Sequence, residues 1–238
     1  VKYYLDGAPA DPTAPGTYTV KIDVAKGECY LAASDVTSPD WTFTITPAAL
    51  TASGSGTASG TFGGSLGSLS VSGLKAMLGT DEISGRWTLS GGDIPNVGDT
   101  GMYTAEFTAD VHPEYYKPLT AKVTLDIAKA QAPAMADTTL SCYWGASVEK
   151  SVSLAGLPEN TGEIYPATIA VSDVNGILAV DSARYSDGKL YFTLGENTEE
   201  SIGNTAEITV TLPTQNYTDF TFRITVTLAA KGDQQAPL

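Results

Sequence analysis

The stretch Gly16-Thr17-Tyr18-Thr19-Val20-Lys21-Ile22-Asp23-Val24, closed later by Trp41-Thr42-Phe43-Thr44-Ile45, decides the fold class. From Tyr18 onward apolar side chains take every second position, and Thr, Lys and Asp fill the alternate ones. Period two with β-branched and aromatic residues is the pattern of a strand with one face buried and one wet. The phrase returns twice. Its second copy runs Gly101-Met102-Tyr103, Ala105, Phe107, then Tyr115-Tyr116, then Val123-Thr124-Leu125-Asp126-Ile127. Its third runs Gly203-Asn204, Ala206, Ile208, Val210, then Asn216-Tyr217, then Phe222-Arg223-Ile224-Thr225-Val226. One spacing separates Gly16 from Tyr30, Gly101 from Tyr115 and Gly203 from Tyr217. Counted from Gly203 the third alternation is out of step by one. Its strand is therefore aligned from Asn204, since a one-residue slip turns a strand over. The phrase is expected to be the closing hairpin of a sandwich, with glycine at the turn and tyrosine and tryptophan on the core.

Between the alternating runs stand Asp6-Gly7, Ser90-Gly91-Gly92-Asp93, Asn96-Val97-Gly98-Asp99, Asn175-Gly176 and Asp187-Gly188. Gly and Asn tolerate positive φ, so these are turns. Leu74 to Leu78 is expected to make at most one helical turn, and Gly54 to Gly60 reads as a low-complexity Ser/Gly/Thr run. A phrase recurring at long intervals signals tandem modules. Residues 1–48 are expected to be the closing part of a module, 49–130 and 131–231 full modules, and 232–238 the start of a further module or a linker. The triplet Gln131-Ala132-Pro133 opens the third module and recurs as Gln235-Ala236-Pro237. The chain therefore reads as a segment of a longer protein.

The 238 residues carry 13 Lys plus Arg against 27 Asp plus Glu, a net charge of −14. That field repels phosphate backbones and anionic lipid, which argues against nucleic-acid and membrane-surface roles. Solubility and cation binding both remain open as its use. No run of about 18 apolar residues exists to span a bilayer as a helix. Cys29 and Cys142 fall in different modules and are expected to be small buried residues, with a disulfide or reactive thiol as the alternative. Trp41, Trp87 and Trp144, one per module, are expected in sandwich cores, with sugar stacking as the alternative.

Several phrases resemble the MBG/YDG-type immunoglobulin-like repeats of bacterial surface proteins, especially those of Gram-positive bacteria. They are Gly16-Thr17-Tyr18-Thr19-Val20 with Trp41-Thr42-Phe43-Thr44-Ile45-Thr46-Pro47-Ala48, Gly85-Arg86-Trp87-Thr88-Leu89 with Pro95 to Gly101, and Asn216-Tyr217-Thr218-Asp219. The first module departs from the family's Tyr-Asp-Gly by reading Tyr4-Leu5-Asp6-Gly7, and residues 134–200 match least. The resemblance implies an all-β fold of tandem immunoglobulin-like antiparallel β-sandwich modules in an elongated array. It also implies a secreted, extracellular, cell-surface or cell-wall location, and it transfers no catalytic residue.

Chemistry is sparse. His112, the only histidine, sits in Asp110-Val111-His112-Pro113-Glu114, a turn, and no nucleophile elbow or phosphate loop appears. Asp173-Val174-Asn175-Gly176 starts like a calcium loop, but Arg184 stands where the bidentate Glu belongs. Glu196-Asn197-Thr198-Glu199-Glu200 is either a weak calcium site or a solvated acidic loop. Lys21 and Lys122 on strands raise an isopeptide crosslink as an alternative to ordinary surface lysines. No cofactor, no metal and no enzyme activity are expected. The expected function is a monomeric stalk or spacer, adhesive in some contacts, whose partners are neighbouring modules of the same polypeptide. The alternative is a module that recognises a glycan or host extracellular protein through Tyr115, Tyr116 and Tyr185, since tyrosine pairs a flat apolar face with a hydroxyl.

Overall fold

A computed structural model describes residues 1–144 and 148–230. The expected segment 232–238, with its Gln235-Ala236-Pro237, lies outside them. The described residues form eighteen strands and three short 3₁₀ turns. They divide into two compact units: residues 1–60, 65–93 and 100–126 form one, and residues 61–64, 94–99, 127–144 and 148–230 the other.

In the first unit, strands β1 (Lys2–Leu5), β2 (Ala8–Pro9), β3 (Gly16–Val24), β4 (Ala33–Val36) and β5 (Thr42–Ile45) make one sheet around β3. The first copy of the phrase is indeed a pairing of its two ends, with Gly16 opposite Ile45 and Tyr18 opposite Phe43. Asp6 and Gly7 both take positive φ between β1 and β2, the geometry a two-residue hairpin needs. Tyr18 is fully buried, stacks on Phe43 at 5.3 Å, and donates its hydroxyl to Ala14 O at 2.9 Å. A tyrosine tied to backbone a few residues upstream is the corner device of immunoglobulin-like sandwiches. The expected core residues are displaced: Tyr30 is 60% and Trp41 39% exposed. Tyr18 and Phe43 face inward on paired strands, whereas Tyr30 lies in the connection before β4 and Trp41 just outside β5. Cys29, in the same connection, is exposed rather than buried.

The second sheet contains β6 (Thr51–Thr61), β7 (Ser70–Leu78), β8 (Asp81–Ile83), β9 (Gly85–Leu89), β10 (Met102–Ala109) and β11 (Leu119–Ala128), in the order β8-β7-β6-β11-β10-β9. It folds over, because β7 and β9, separated in the ladder, pack on each other. Two stretches gain a definite role here. Leu74 to Leu78 is strand, and the Ser/Gly/Thr run is the long strand β6. The glycines make this close packing workable. Gly54 and Gly73 form a bulge at positive φ, where a Cβ on either would strike the other strand's backbone carbonyl. Opposite Gly56, a Cβ would meet Val123 at 2.5 Å and Leu74 at 2.8 Å. The second phrase again pairs its ends, Met102 with Thr124 through Phe107 with Leu119. Trp87 is half-buried and tilted against Phe107 at 5.2 Å.

The second unit holds a two-sheet sandwich. Strands β12 (Thr138–Tyr143), β13 (Glu149–Ser153), β14 (Thr168–Ser172), β15 (Arg184–Ser186), β16 (Lys189–Thr193), β17 (Thr205–Leu212) and β18 (Phe220–Ala229) form sheets β12-β18-β17-β14 and β13-β16-β15. One apolar core joins both sheets, with Leu190 and Phe192 from β16 and Ile208, Val210, Phe222, Ile224 and Val226 from β17 and β18. Full burial of each such side chain is worth about 1.5–3 kcal/mol. Ala206, Ile208, Val210 and Leu212 are all buried, as alignment from Asn204 requires. Strands two, four and five on one sheet and three, six and seven on the other are the immunoglobulin arrangement. Within this sandwich, β12 runs parallel to β18. Seven strands that alternate in direction leave the first and last pointing the same way, so they pair in parallel when adjacent.

Candidate functional site

A recess in the second unit runs along β14 and β15, each an edge strand of one of its two sheets. One part, of about 380 Å³, is lined by Ile169, Val171, Asp173, Val180 and Asp181 among others. A second part, of about 490 Å³, shares Ile169 and adds Tyr165 and Tyr185. Ile169 and Val171 point the same way on β14, as residues two apart must. Ile169 packs on the core, whereas Val171 is left 48% exposed.

The loop that forms the far wall is fixed by Asp173. Its Oδ1 accepts the Ile177 N–H at 2.9 Å and its Oδ2 the Leu178 N–H at 2.7 Å. The segment that looked like the start of a calcium loop is thus an aspartate folding its own chain back through backbone amides. Ile177 and Leu178 are buried by that turn, and Val180, just beyond, stands 90% exposed. In the acidic run, Asn197 donates to Ile177 O at 3.0 Å and Gly195 O at 2.9 Å, and Thr198 caps a 3₁₀ turn. Among the described residues, no three of His, Cys, Asp and Glu gather around one point.

The three tyrosines have separate surroundings. Tyr115 and Tyr116 belong to the first unit and Tyr185 to the second. Tyr115 ends a 3₁₀ turn at Pro113–Tyr115, and one ring face is covered by His112 at 4.4 Å. His112 also meets Glu114 at 3.0 Å and is exposed. Tyr116 bridges Ala48 through its backbone and lines a cleft of about 190 Å³ with Phe107 and Pro118. Tyr185 is half-buried against the sandwich core, and burial, then the charge of Asp187, pushes its hydroxyl pKa upward. Of the three, only Tyr185 lines the groove. Sequence patterning missed Val171 and Val180, because an exposed valine is legible only when the covering strand is known to be absent.

Lys21 lies over the Tyr4 ring at 4.2 Å, and Lys122 donates to Thr104 at 2.7 Å. Both strand lysines thus have ordinary cross-strand partners. Among the described residues, no helix is long and apolar enough to cross a membrane.

No family model and no curated protein matches the chain. Solved structures similar to it include an I-band fragment, I67–I69, of titin, at 10% identity and TM-score 0.33, covering 97% of this chain and 87% of that one. The titin domains Z1Z2 in complex with telethonin align at 12% identity and TM-score 0.32, over 79% of this chain and 100% of that one. Three N-terminal domains of the Hoc outer capsid protein of bacteriophage RB49 align at 11% identity and TM-score 0.30, over 91% and 95%. The strand order itself makes the second unit an immunoglobulin-like sandwich.

Proposed function

We propose that the chain is a non-enzymatic spacer segment of a bacterial cell-surface protein of the MBG/YDG type. In this role it is extracellular and monomeric, and its partners are the neighbouring modules of the same polypeptide. One observation carries the reading: the recurring residues do structural work, and they do it twice in the same way. Ala48 N–H donates to Tyr115 O and Lys117 N–H to Ala48 O, both at 2.8 Å. Ala130 N–H donates to Asn216 O at 2.9 Å, and Thr218 N–H to Ala130 O at 2.8 Å. In each case the chain entering a module makes a one-residue parallel bridge to the tyrosine loop before the last strand, Ala48 to Tyr116 and Ala130 to Tyr217. A device repeated without any accompanying reactive side chain builds modules, and stacked modules set distance. Small-angle scattering of the chain is expected to give the skewed distance distribution of a rod. The distribution of a compact globule would sink the proposal.

The groove at Tyr185 favours a second reading, recognition of a glycan or host extracellular protein. A glycan and matrix-protein array tests it, and a clean negative with Tyr185 intact removes it.

A further inference from the structure

We infer that the β14 edge of the second unit is a docking site for an extended polypeptide strand with apolar alternation and basic flanks. The inference is additional to the spacer role and independent of it. Three observations meet at this edge.

First, β14 is an unguarded edge. It is paired on one side only, Thr168 opposite Thr211 through Ser172 opposite Glu207, and among the described residues no other backbone hydrogen bond reaches it. Its sequence, Thr-Ile-Ala-Val-Ser, has no charge, proline or bulge. Edge strands normally carry one of these to prevent a further strand from adding. Pro9 in β2, Arg86 in β9, and Asp81 and Glu82 in β8 are such guards, whereas β12, the opposite edge of the same sheet, is as bare as β14, so the groove and its charge are what set β14 apart.

Second, the groove beside this edge is open to inward-pointing side chains. Val171, 48% exposed, lines this recess together with Val180, which is 90% exposed. An added strand would satisfy the free backbone groups and send alternate side chains onto Ile169 and Val171, the pattern of β-augmentation.

Third, charge selects the occupant. The ionisable residues lining the deeper part of the groove are Asp173 and Asp181. A second copy of this chain, with its net charge of −14, is repelled by that wall. A strand flanked by Lys or Arg is attracted.

The test uses the whole chain and two synthetic peptides, Lys-Lys-Val-Thr-Val-Thr-Val-Lys-Lys and the same core flanked by Glu. Hydrogen exchange and titration calorimetry are read together. The basic peptide is expected to bind and to slow exchange at 168–172, with affinity falling as salt rises; the acidic peptide is not. Val171→Lys, at an exposed position, is expected to abolish binding, and Asp181→Asn to weaken it about two- to fivefold, the worth of one exposed charge pair. Thr139→Lys, on the opposite edge strand β12, is expected to leave binding unchanged. Equal binding of both peptides, protection outside 168–172, or no binding at millimolar peptide overturns the inference. So does concentration-dependent dimerisation that Val171→Lys abolishes, which would assign the edge to a second copy.

Discussion

The Asn216 side chain accepts the N–H of Val97 at 2.9 Å and donates to Asn96 Oδ1 at 2.7 Å, joining residues about 120 positions apart. It also donates to Asn160 O at 2.9 Å, and it is wholly buried within the second unit. Beside it Gln215 donates to Val97 O at 2.9 Å and accepts Glu163 N–H at 3.2 Å. Two loops are thus held by one amide pair whose hydrogen-bonding groups are matched.

Asn216→Ala removes three hydrogen bonds made by a fully buried side chain. It is expected to cost about 2–4 kcal/mol of the second unit's stability. Asn216→Asp keeps the shape but cannot donate to Asn160 O, so it should also destabilise strongly. Urea unfolding followed by fluorescence checks both, and a change within error for Asn216→Asp would show that the donors do not matter.

Tyr18→Phe keeps the ring stacked on Phe43 and deletes only the hydroxyl's bonds, to Ala14 O and, at 3.4 Å, to Asp11 O. A loss of about 1 kcal/mol is expected, against about 3–5 kcal/mol for Tyr18→Ala, which empties a buried site. Paired thermal melts separate the hydroxyl from the ring.

Gly56→Ala places a methyl where Val123 and Leu74 already sit. Overpacking of this kind costs about 1–3 kcal/mol. Gly63→Ala, with nothing within 4 Å of the new Cβ, carries only the backbone cost of its φ of +90°. Comparing the two by denaturant titration tests whether β6 is a packed strand.

Asp23 accepts the Asp35 N–H at 3.0 Å and pairs with Lys2. Its pKa is lowered first by that backbone N–H and second by Lys2, which in turn is held protonated by Asp35 and Asp23. A depressed carboxylate stabilises the fold above its unfolded pKa of about 4, and the contribution is lost as pH falls through the lowered folded value. Because the larger cause is backbone, Lys2→Met is expected to leave most of the depression in place. An NMR titration in which Asp23 returns to an ordinary aspartate pKa would refute that order.

Cys142 is buried, and desolvation raises its thiol pKa. A thiol reagent at neutral pH is expected to label Cys29 alone and to reach Cys142 only after unfolding. Rapid labelling of both in the native state would contradict the burial.

Much of the fold is legible in the chain. The closing strand pairs follow from alternation at Tyr18, Tyr103 and Ala206; the second and third are hairpins, whereas in the first β4 stands between the paired strands β3 and β5. The hairpins at Asp6-Gly7 and Asp187-Gly188 follow from the turn chemistry. The equal glycine–tyrosine spacing was a weaker guide. The connection between the paired strands runs from Phe107 to Leu119 in the second copy and from Leu212 to Phe220 in the third, so one spacing spans two loop lengths. Strand β6 was hidden because its glycines carry no side chain to alternate, although their smallness is what lets the sheet fold over. The groove was hidden because Val171 and Tyr185 gain their meaning from edges that no sequence window contains.

Period-two patterning alone determined that this chain is all-β, because alternation depends only on which face of a strand meets water. Tertiary structure decided which aromatic fills the first core, that β12 pairs with β18 in parallel, and that Asn216 reaches Val97. It also decided that, among the described residues, β14 is paired on one side only. Each of these depends on residues brought together across long stretches of chain, where local propensity has no say.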